Sequence, residues 1–112
     1  MASLNTLEPW LQPWANWIFR YGQSLDGRLV VTSARRSLAD QIRLYNRYLH
    51  GESDIPAAPP GRSKHQIGQA FDLAQVGINP HDSRLLPWLG KWWMHYGGLY
   101  GGVKDPVHFG LR

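Results

Sequence analysis

The chain has 112 residues, a length typical of a single domain that can bury its own core. It contains no cysteine, which excludes disulfide bonds and thiolate metal sites, so any metal site must use His, Asp or Glu. The net charge of +4 favours an acidic partner, either nucleic acid or a polyanionic cell envelope, and no apolar run is long enough for stable membrane insertion.

A first helix is predicted by apolar side chains that recur at spacings of three and four residues. These are Leu7, Trp10, Leu11, Trp14, Trp17, Ile18 and Tyr21. Pro13 either kinks the helix or lies in its first turn, and Gly22 is expected to end it. Because most tryptophans lie on such helical stripes, we interpret them as core residues.

A strand and a second helix follow. Asp26-Gly27 predicts a turn, and Leu29 to Thr32 suit a buried strand. Ser37 is the expected N-cap of a helix that ends near His50-Gly51, with Asp40 in its first turn. The apolar stripe of this helix is expected to be Leu38, Ile42, Tyr45 and Leu49.

The second half predicts a Pro-rich loop over 52–61, a short strand over 67–73, one or two helices within 79–98 and a last strand in "VHFGL". The expected helical face there is Leu85, Trp88, Leu89, Trp92 and Tyr96, with Gly97-Gly98 as the stop. The sequence therefore predicts one α+β domain over 1–112, a small antiparallel sheet with helices packed on one side.

Among the histidines and carboxylates, His65 and Asp72 differ from the rest. His50, His81 and His95 lie on predicted polar faces or caps and are interpreted as surface residues. Asp72, seven residues after His65, ends a run of small and apolar residues, where a buried acid is costly without a partner. A metal cation could be that partner, and a salt bridge to a nearby arginine is the alternative.

The end of the chain supplies a second imidazole. His108 follows Asp105 by three residues, and Pro106 restricts the backbone between them. Two imidazoles and one carboxylate form a known catalytic zinc set with a position open for water, and another carboxylate can act as general base. By elimination, Asp105 fits that second role. An arginine can stabilise the developing oxyanion.

These motifs resemble a known family. "SKHQIGQAFDL" is similar to the S-x-H-x-x-G-x-A-x-D signature of zinc peptidoglycan peptidases, which include VanY- and VanX-type D-alanyl-D-alanine peptidases and phage L-alanyl-D-glutamate endolysins. "DPVHF" resembles their closing D/E-x-x-H motif, and "VVTSARRSLADQ" and "LGKWWMHYGGLYGG" resemble the segments before each motif. The resemblance covers roughly residues 25 to 110 in matching order, and it implies the Hedgehog/DD-peptidase fold.

The resemblance also implies residue roles. It implies one zinc ion with three ligands, His65, Asp72 and His108. Asp105 would be the general base and Arg36 would stabilise the substrate carbonyl or oxyanion, while Ser63 and Gln41 would support the site. From the residues alone, Ser63 could be a plain loop residue and Gln41 a helix-surface residue.

The implied activity is hydrolysis of an amide bond in the peptidoglycan stem peptide. Aspartate at position 105 resembles the L-alanyl-D-glutamate endolysin branch, with D-Ala-D-Ala carboxypeptidase next. Three positions depart from the family pattern and bear on substrate preference: Ala34, Arg35 and Gly110. We see no secretory signal, so the resemblance to phage enzymes implies synthesis in the cytoplasm and release to the wall through a holin-like pore. A monomer is expected.

Two alternatives remain at this point. The same fold could be a non-catalytic, zinc-stabilised wall-binding or phage structural module. The six tryptophans and the central cations could indicate a nucleic-acid binder, although we expect no nucleic-acid partner. Those cations are Arg35, Arg36, Arg43, Arg47, Arg62 and Lys64.

Overall fold

A computed structural model describes residues 2–53 and 56–111, so two positions of the predicted Pro-rich loop, 54 and 55, lie outside the described residues. The described part of that loop contains neither helix nor strand, as expected. Seven main elements follow in chain order: α1 (Gln12–Leu25), β1 (Leu29–Ser33), α2 (Leu38–Leu49), β2 (Ala70–Gln75), α3 (Leu85–His95), β3 (Leu99–Tyr100) and β4 (His108–Gly110).

The four strands form one antiparallel sheet in the order β1-β2-β4-β3. β2 is therefore an inner strand that pairs with β1 on one side and β4 on the other. Its register places Asp72 opposite Ser33 of β1 and opposite His108 of β4. This sheet confirms the predicted α+β class.

The core lies between one face of the sheet and the helices α1 and α3. Phe71 of β2 stacks on Phe109 with ring centroids 5.6 Å apart and meets the edge of Trp93 at 5.3 Å. The remaining buried side chains from the same elements are Leu11, Ala15, Ile18, Leu29, Leu73, Leu86 and Leu89. Since strand side chains alternate between faces, Asp72 lies on the face opposite to Phe71 and Leu73.

The first helix differs from its prediction at both the stop and the buried face. Gly22 does not end α1, which continues to Leu25. Gly22 is buried, and a Cβ there would overlap the Leu29 side chain and come within 2.8 Å of Leu89. The buried stripe runs through Leu11, Ala15, Ile18 and Gly22, and the tryptophan stripe beside it is exposed. The interpretation of most tryptophans as core is therefore wrong, because only Trp93 is buried.

The other two helices show the same kind of difference. Ser37 caps α2 as predicted, since its Oγ accepts a hydrogen bond from the Asp40 backbone N–H at 3.1 Å. The expected apolar stripe of α2 is largely exposed, and its one fully buried side chain is Gln41. On α3 the buried face is Leu86, Leu89, Gly90 and Trp93 rather than the predicted set, of which only Leu89 is buried.

The strand predicted over 67–73 begins later than expected. Residues Lys64–Ile67 form a 3-10 turn that ends at Gly68, whose φ of 72° lies in the left-handed region that favours glycine. β2 begins only at Ala70. The two-residue strand β3 was not predicted, whereas β4 falls inside "VHFGL" as expected. Within the described residues, no helix combines the length and the apolarity needed to cross a bilayer.

The tight packing at Gly22 gives a stability prediction. Gly22→Ala should lower the free energy of unfolding by about 1–3 kcal/mol, because the new methyl group overpacks against Leu29 and Leu89. Urea unfolding measures the change. Gly27→Ala is the matched control, since a Cβ there meets nothing within 4 Å, and it should change stability by about 0.5 kcal/mol or less. An unfolding midpoint raised by Gly22→Ala would contradict the close packing.

Candidate metal centre and active-site cleft

Sheet register brings the first part of the site together. Ser33, Asp72 and His108 are cross-strand partners on β1, β2 and β4, so their side chains form one row on the same face of the sheet. An irregularity in the β1 ladder between Val31 and Ser33 re-aims the end of that strand. The row lies on the face of β2 that is turned away from the core.

His65 reaches this row from the 3-10 turn before β2. The Ser63 side chain caps the turn by accepting a hydrogen bond from the His65 backbone N–H at 3.2 Å. The buried His65 ring donates from Nδ1 to the Ala34 carbonyl oxygen at 2.8 Å. In the neutral ring Nε2 then carries a free lone pair, and it lies 3.1 Å from Asp72 Oδ1.

The spacing and chemistry of three side chains fit a divalent metal ion. One ligand atom each from His65, Asp72 and His108 lies within 4.8 Å of the others. Asp72 Oδ1 is 3.1 Å from His65 Nε2 and 3.7 Å from His108 Nδ1. In a tetrahedral zinc site with the usual bond lengths, two ligand atoms lie about 3.3 Å apart. The two distances from Asp72 Oδ1 lie on either side of this value. Neutral imidazole nitrogens and a carboxylate facing one another are all acceptors, and a shared cation satisfies them.

The Asp72 carboxyl is held in its charged form. Burial raises its pKa, but without a metal ion the hydrogen bonds from His108 and His65, and the positive charge of these rings when protonated, lower it more, so the pKa lies well below the usual range. Arg36 adds an ion pair, with Nη2 at 3.3 Å from Asp72 Oδ2. The salt bridge to an arginine, which the sequence offered as the alternative to a metal, is therefore formed by one oxygen of Asp72. The other oxygen faces the two histidines.

Arg36 is fixed by two further side chains. Its Nη2 donates to Ser33 Oγ at 2.7 Å, and its Nη1 donates to Gln41 Oε1 at 2.8 Å. Gln41 is fully buried and donates from Nε2 to the Ala58 carbonyl at 2.7 Å, which ties α2 to the loop. Gln41 is thus not a helix-surface residue. Burial lowers the pKa of the Arg36 guanidinium against the opposing effect of the nearby carboxylates.

Asp105 differs from Asp72 in its environment. Burial and then the Asp72 charge raise the pKa of Asp105 to about 6, against the opposing charges of His108, His65 and Arg36. Its Oδ1 is buried and has no hydrogen-bond partner among the described residues. Gly101 lies so close that an added Cβ would overlap the Asp105 backbone oxygen. A half-buried carboxyl with an unused oxygen and a pKa near neutrality is suited to proton transfer.

An open cleft of about 420 Å³ joins these groups. Six of the seven predicted site residues line it: Arg36, Ser63, His65, Asp72, Asp105 and His108. Gln41 contacts Arg36 and Ala58 instead. Two more cations, Arg62 and Lys64, line the same cleft. His50, His81 and His95 are exposed and do not line it, as expected for surface histidines.

Several contributors to the site were missed from the sequence. Ser33 holds Arg36, and the Ala34 carbonyl orients His65, but a backbone acceptor has no residue-type signal. Gly110, a departure from the family pattern, leaves room for His108, because a Cβ there would lie 3.1 Å from Nε2. Arg35, a second departure, donates to the Thr6 and Ile67 carbonyls and so ties the N-terminal segment to the His65 turn.

A candidate metal site on a small antiparallel sheet thus lies beside a half-buried carboxyl in an α+β domain. The sequence profile of the VanY family, described as D-alanyl-D-alanine carboxypeptidase, matches residues 8–100. The chain therefore belongs to this family, which confirms the resemblance. The matched range stops before Asp105 and His108. A search of curated protein sequences finds no match.

Several solved structures share the fold of this chain. The D,D-dipeptidase VanXYg, solved with a D-Ala-D-Ala phosphinate analogue, superposes with a TM-score of 0.67 and 23% identity over 94% of this chain and 50% of its own. A D,D-pentapeptidase VanY variant in complex with Zn(II) has a TM-score of 0.68 and 22% identity, and the match covers 94% of this chain and 72% of that one. The L-Ala D-Glu endopeptidase ChiX of Serratia marcescens has a TM-score of 0.59 and 19% identity, and the match covers 97% of this chain and 83% of that one. At these identities the likeness shows the fold, and the chain spans half of VanXYg.

The buried Gln41 amide gives a second stability prediction. Gln41→Ala should cost about 1–3 kcal/mol of unfolding free energy, because it leaves the Ala58 carbonyl and one Arg36 donor without their partner. Thermal or urea unfolding measures it. Asn46→Ala removes an exposed amide from the same helix and should change stability by about 0.5 kcal/mol or less. Equal effects of the two substitutions would show that the Gln41 contacts are dispensable.

Proposed function

We propose that this protein is a zinc metallopeptidase that hydrolyses an amide bond in the peptidoglycan stem peptide. The observation that carries the proposal is the meeting of His65, Asp72 and His108 beside Asp105 in an open cleft. Membership of the D-alanyl-D-alanine carboxypeptidase family supports the same chemistry. L-alanyl-D-glutamate endopeptidase is our first candidate activity, because residue 105 is aspartate, and D-Ala-D-Ala carboxypeptidase is the second.

His65, Asp72 and His108 would hold the ion. When bound there, zinc supplies a Lewis acid that polarises the peptide carbonyl and makes water more acidic. The Ala34 carbonyl fixes the His65 tautomer that leaves Nε2 free, and Arg36 holds the second oxygen of Asp72. Both contacts keep the ligands in place before the ion arrives.

Asp105 is the proposed general base and acid. Its carboxylate accepts a proton from the water that attacks the peptide carbonyl, and then gives that proton to the amine as the C–N bond breaks. In the metal-free site the pKa of Asp105 is raised to about 6, near the range in which a group can both take up and release a proton. The free Oδ1 has no competing hydrogen bond among the described residues.

Arg36 is proposed to stabilise negative charge on the substrate carbonyl oxygen. It lines the cleft and its position is fixed by Ser33 and Gln41. A preorganised cation in a partly dry site stabilises developing charge without having to move. Ser63 supports the site by capping the His65 turn.

Substrate and location complete the proposal. The substrate is a stem peptide in the cell wall, and the acting protein is a monomer made in the cytoplasm and released through a holin-like pore. The cations Arg62 and Lys64 on the cleft wall fit a substrate that carries carboxylates.

Mass spectrometry of muropeptides, digested with and without a chelator, tests which bond is cut and whether cleavage needs the metal. Unchanged muropeptides after incubation with the folded, zinc-loaded protein would falsify the proposed activity.

Metal binding is tested by comparing two histidine variants. Zinc titration by calorimetry should give one site per chain, and His65→Ala should weaken it by more than about a hundredfold, since a ligand is lost. His81→Ala removes an exposed histidine outside the cleft and should bind zinc like the parent protein. Equal loss in both variants, or none in either, would place the zinc elsewhere.

The role of Asp105 is tested by separating turnover from metal binding. Asp105→Asn should lower kcat by about a hundredfold or more on the identified muropeptide, because a general base is removed. It should still bind one zinc ion, since the three ligands remain. Asp82→Asn changes an exposed carboxylate elsewhere and should retain full activity. A fully active Asp105→Asn enzyme would rule out this role.

A further inference from the structure

The proposed function leaves unexplained a strip of aromatic side chains on the outer side of α1 and α3. We call it the aromatic seam and define it as Trp14, Trp17, Tyr21, Trp88, Trp92, His95 and Tyr96. Its rings form a continuous series, from Trp14 and Trp17 through Tyr96 and His95 to Trp92 and Trp88, with neighbouring centroids 4.9 to 6.5 Å apart. At the end of this series Trp88 Nε1 donates a hydrogen bond to the Tyr21 hydroxyl at 3.0 Å, which links α3 to α1.

Most of the seam lies outside the core, although Tyr21 and Trp92 pack partly against it. Both helices already bury a separate stripe, formed by Leu11, Ala15 and Ile18 on α1 and by Leu86, Leu89 and Trp93 on α3. The seam rings remain partly open to solvent, with Trp14 49%, Trp88 43% and Tyr96 55% exposed. A cavity of about 240 Å³ at one end is lined by Trp10, Trp14 and Tyr96 among others. A contiguous exposed apolar patch of this kind marks a contact surface.

The charged side chains within the two seam helices have one sign. Arg20 is the one ionised side chain of α1, and Lys91 and the titratable His95 are the charged positions of α3, so neither helix carries an acid. Lys91 Nζ lies 5.9 Å from the centre of the Trp88 ring. Aromatic rings on two helices whose ionised side chains are cations are complementary to a surface with an apolar interior and anionic groups at its outer edge. A bilayer containing anionic lipids is such a surface, and tryptophan and tyrosine favour its interface.

Ring geometry favours a bilayer over a sugar chain. Five of the six seam contacts are edge-on, with interplanar angles between 82° and 88°. Edge-on rings do not present the row of parallel faces on which successive sugar rings stack. A bilayer interface makes no such demand, because apolar burial there depends on area rather than on ring orientation.

The position of the seam also leaves the cleft open. α1 and α3 cover the Phe71 face of β2, whereas Asp72 and the cleft lie on the opposite face. A protein resting on a bilayer by its helices would therefore turn the cleft away from the lipid. We propose that the aromatic seam is a peripheral docking surface for anionic lipid bilayers. This inference does not depend on the proposed peptidase activity.

Co-sedimentation with vesicles tests the proposal. The zinc-loaded protein should bind vesicles of equal parts phosphatidylcholine and phosphatidylglycerol more tightly than phosphatidylcholine alone, and salt should weaken the binding. The double substitution Trp14→Ser and Trp88→Ser should weaken it by about tenfold or more, through lost apolar burial. Lys91→Glu should weaken it by at least about fivefold, and, as an exposed change, it keeps the test valid if the double variant fails to fold.

The matched control removes apolar side chains elsewhere. Leu49→Ser with Val76→Ser changes two residues that are 58% and 59% exposed and lie outside the seam, and vesicle binding should be retained. Equal binding to both vesicle types, no binding, or binding unaffected by the seam substitutions would overturn the proposal. Two other results would also overturn it: seam-dependent retention on peptide-free glycan strands, and a seam-dependent dimer in sedimentation equilibrium without lipid binding.

Discussion

The carboxylate of Asp72 is the interaction on which the rest of the site depends. One oxygen faces His65 Nε2 and His108 Nδ1, and the other accepts from Arg36. Each partner comes from a different part of the chain, and the antiparallel register of β2 brings them together. A shift of one residue in either ladder would turn Asp72 into the core and replace it with an apolar neighbour, so the candidate metal site and the fold are specified by the same pairing.

The surroundings of the two carboxyls in the cleft shift their pKa values in opposite directions. Asp72 meets two imidazoles and a guanidinium, and its pKa falls although burial opposes this, whereas Asp105 meets mainly burial and the Asp72 charge, and its pKa rises to about 6. One group stays charged and suits a ligand, and the other suits proton transfer. The charge of Asp72 thus helps to create the difference.

The sequence predicts which residues meet in the cleft better than it predicts the buried faces of the helices. His65, Asp72 and His108 could be named because few residue types bind metals and their spacing matches a family signature, but the contact of Ser33 with Arg36 depends on strand register, which spacing does not reveal. Periodicity correctly located α1, yet it favoured the large Trp14 and Trp17 over Ala15 and Gly22. Small residues score weakly as apolar, although they allow the closest packing, so the exposed stripe was taken for the buried one.

That difference in the helices explains how a small chain can present two separate surfaces. The close packing at Gly22 lets α1 lie near Leu29 and Leu89, and this leaves its large aromatic side chains outside the core. The sheet places polar chemistry on one face and the helices place aromatic rings on the other, with Phe71 and Phe109 filling the layer between them. Because the two surfaces share no residues, a substitution on one should leave the other intact, and their effects on stability should add.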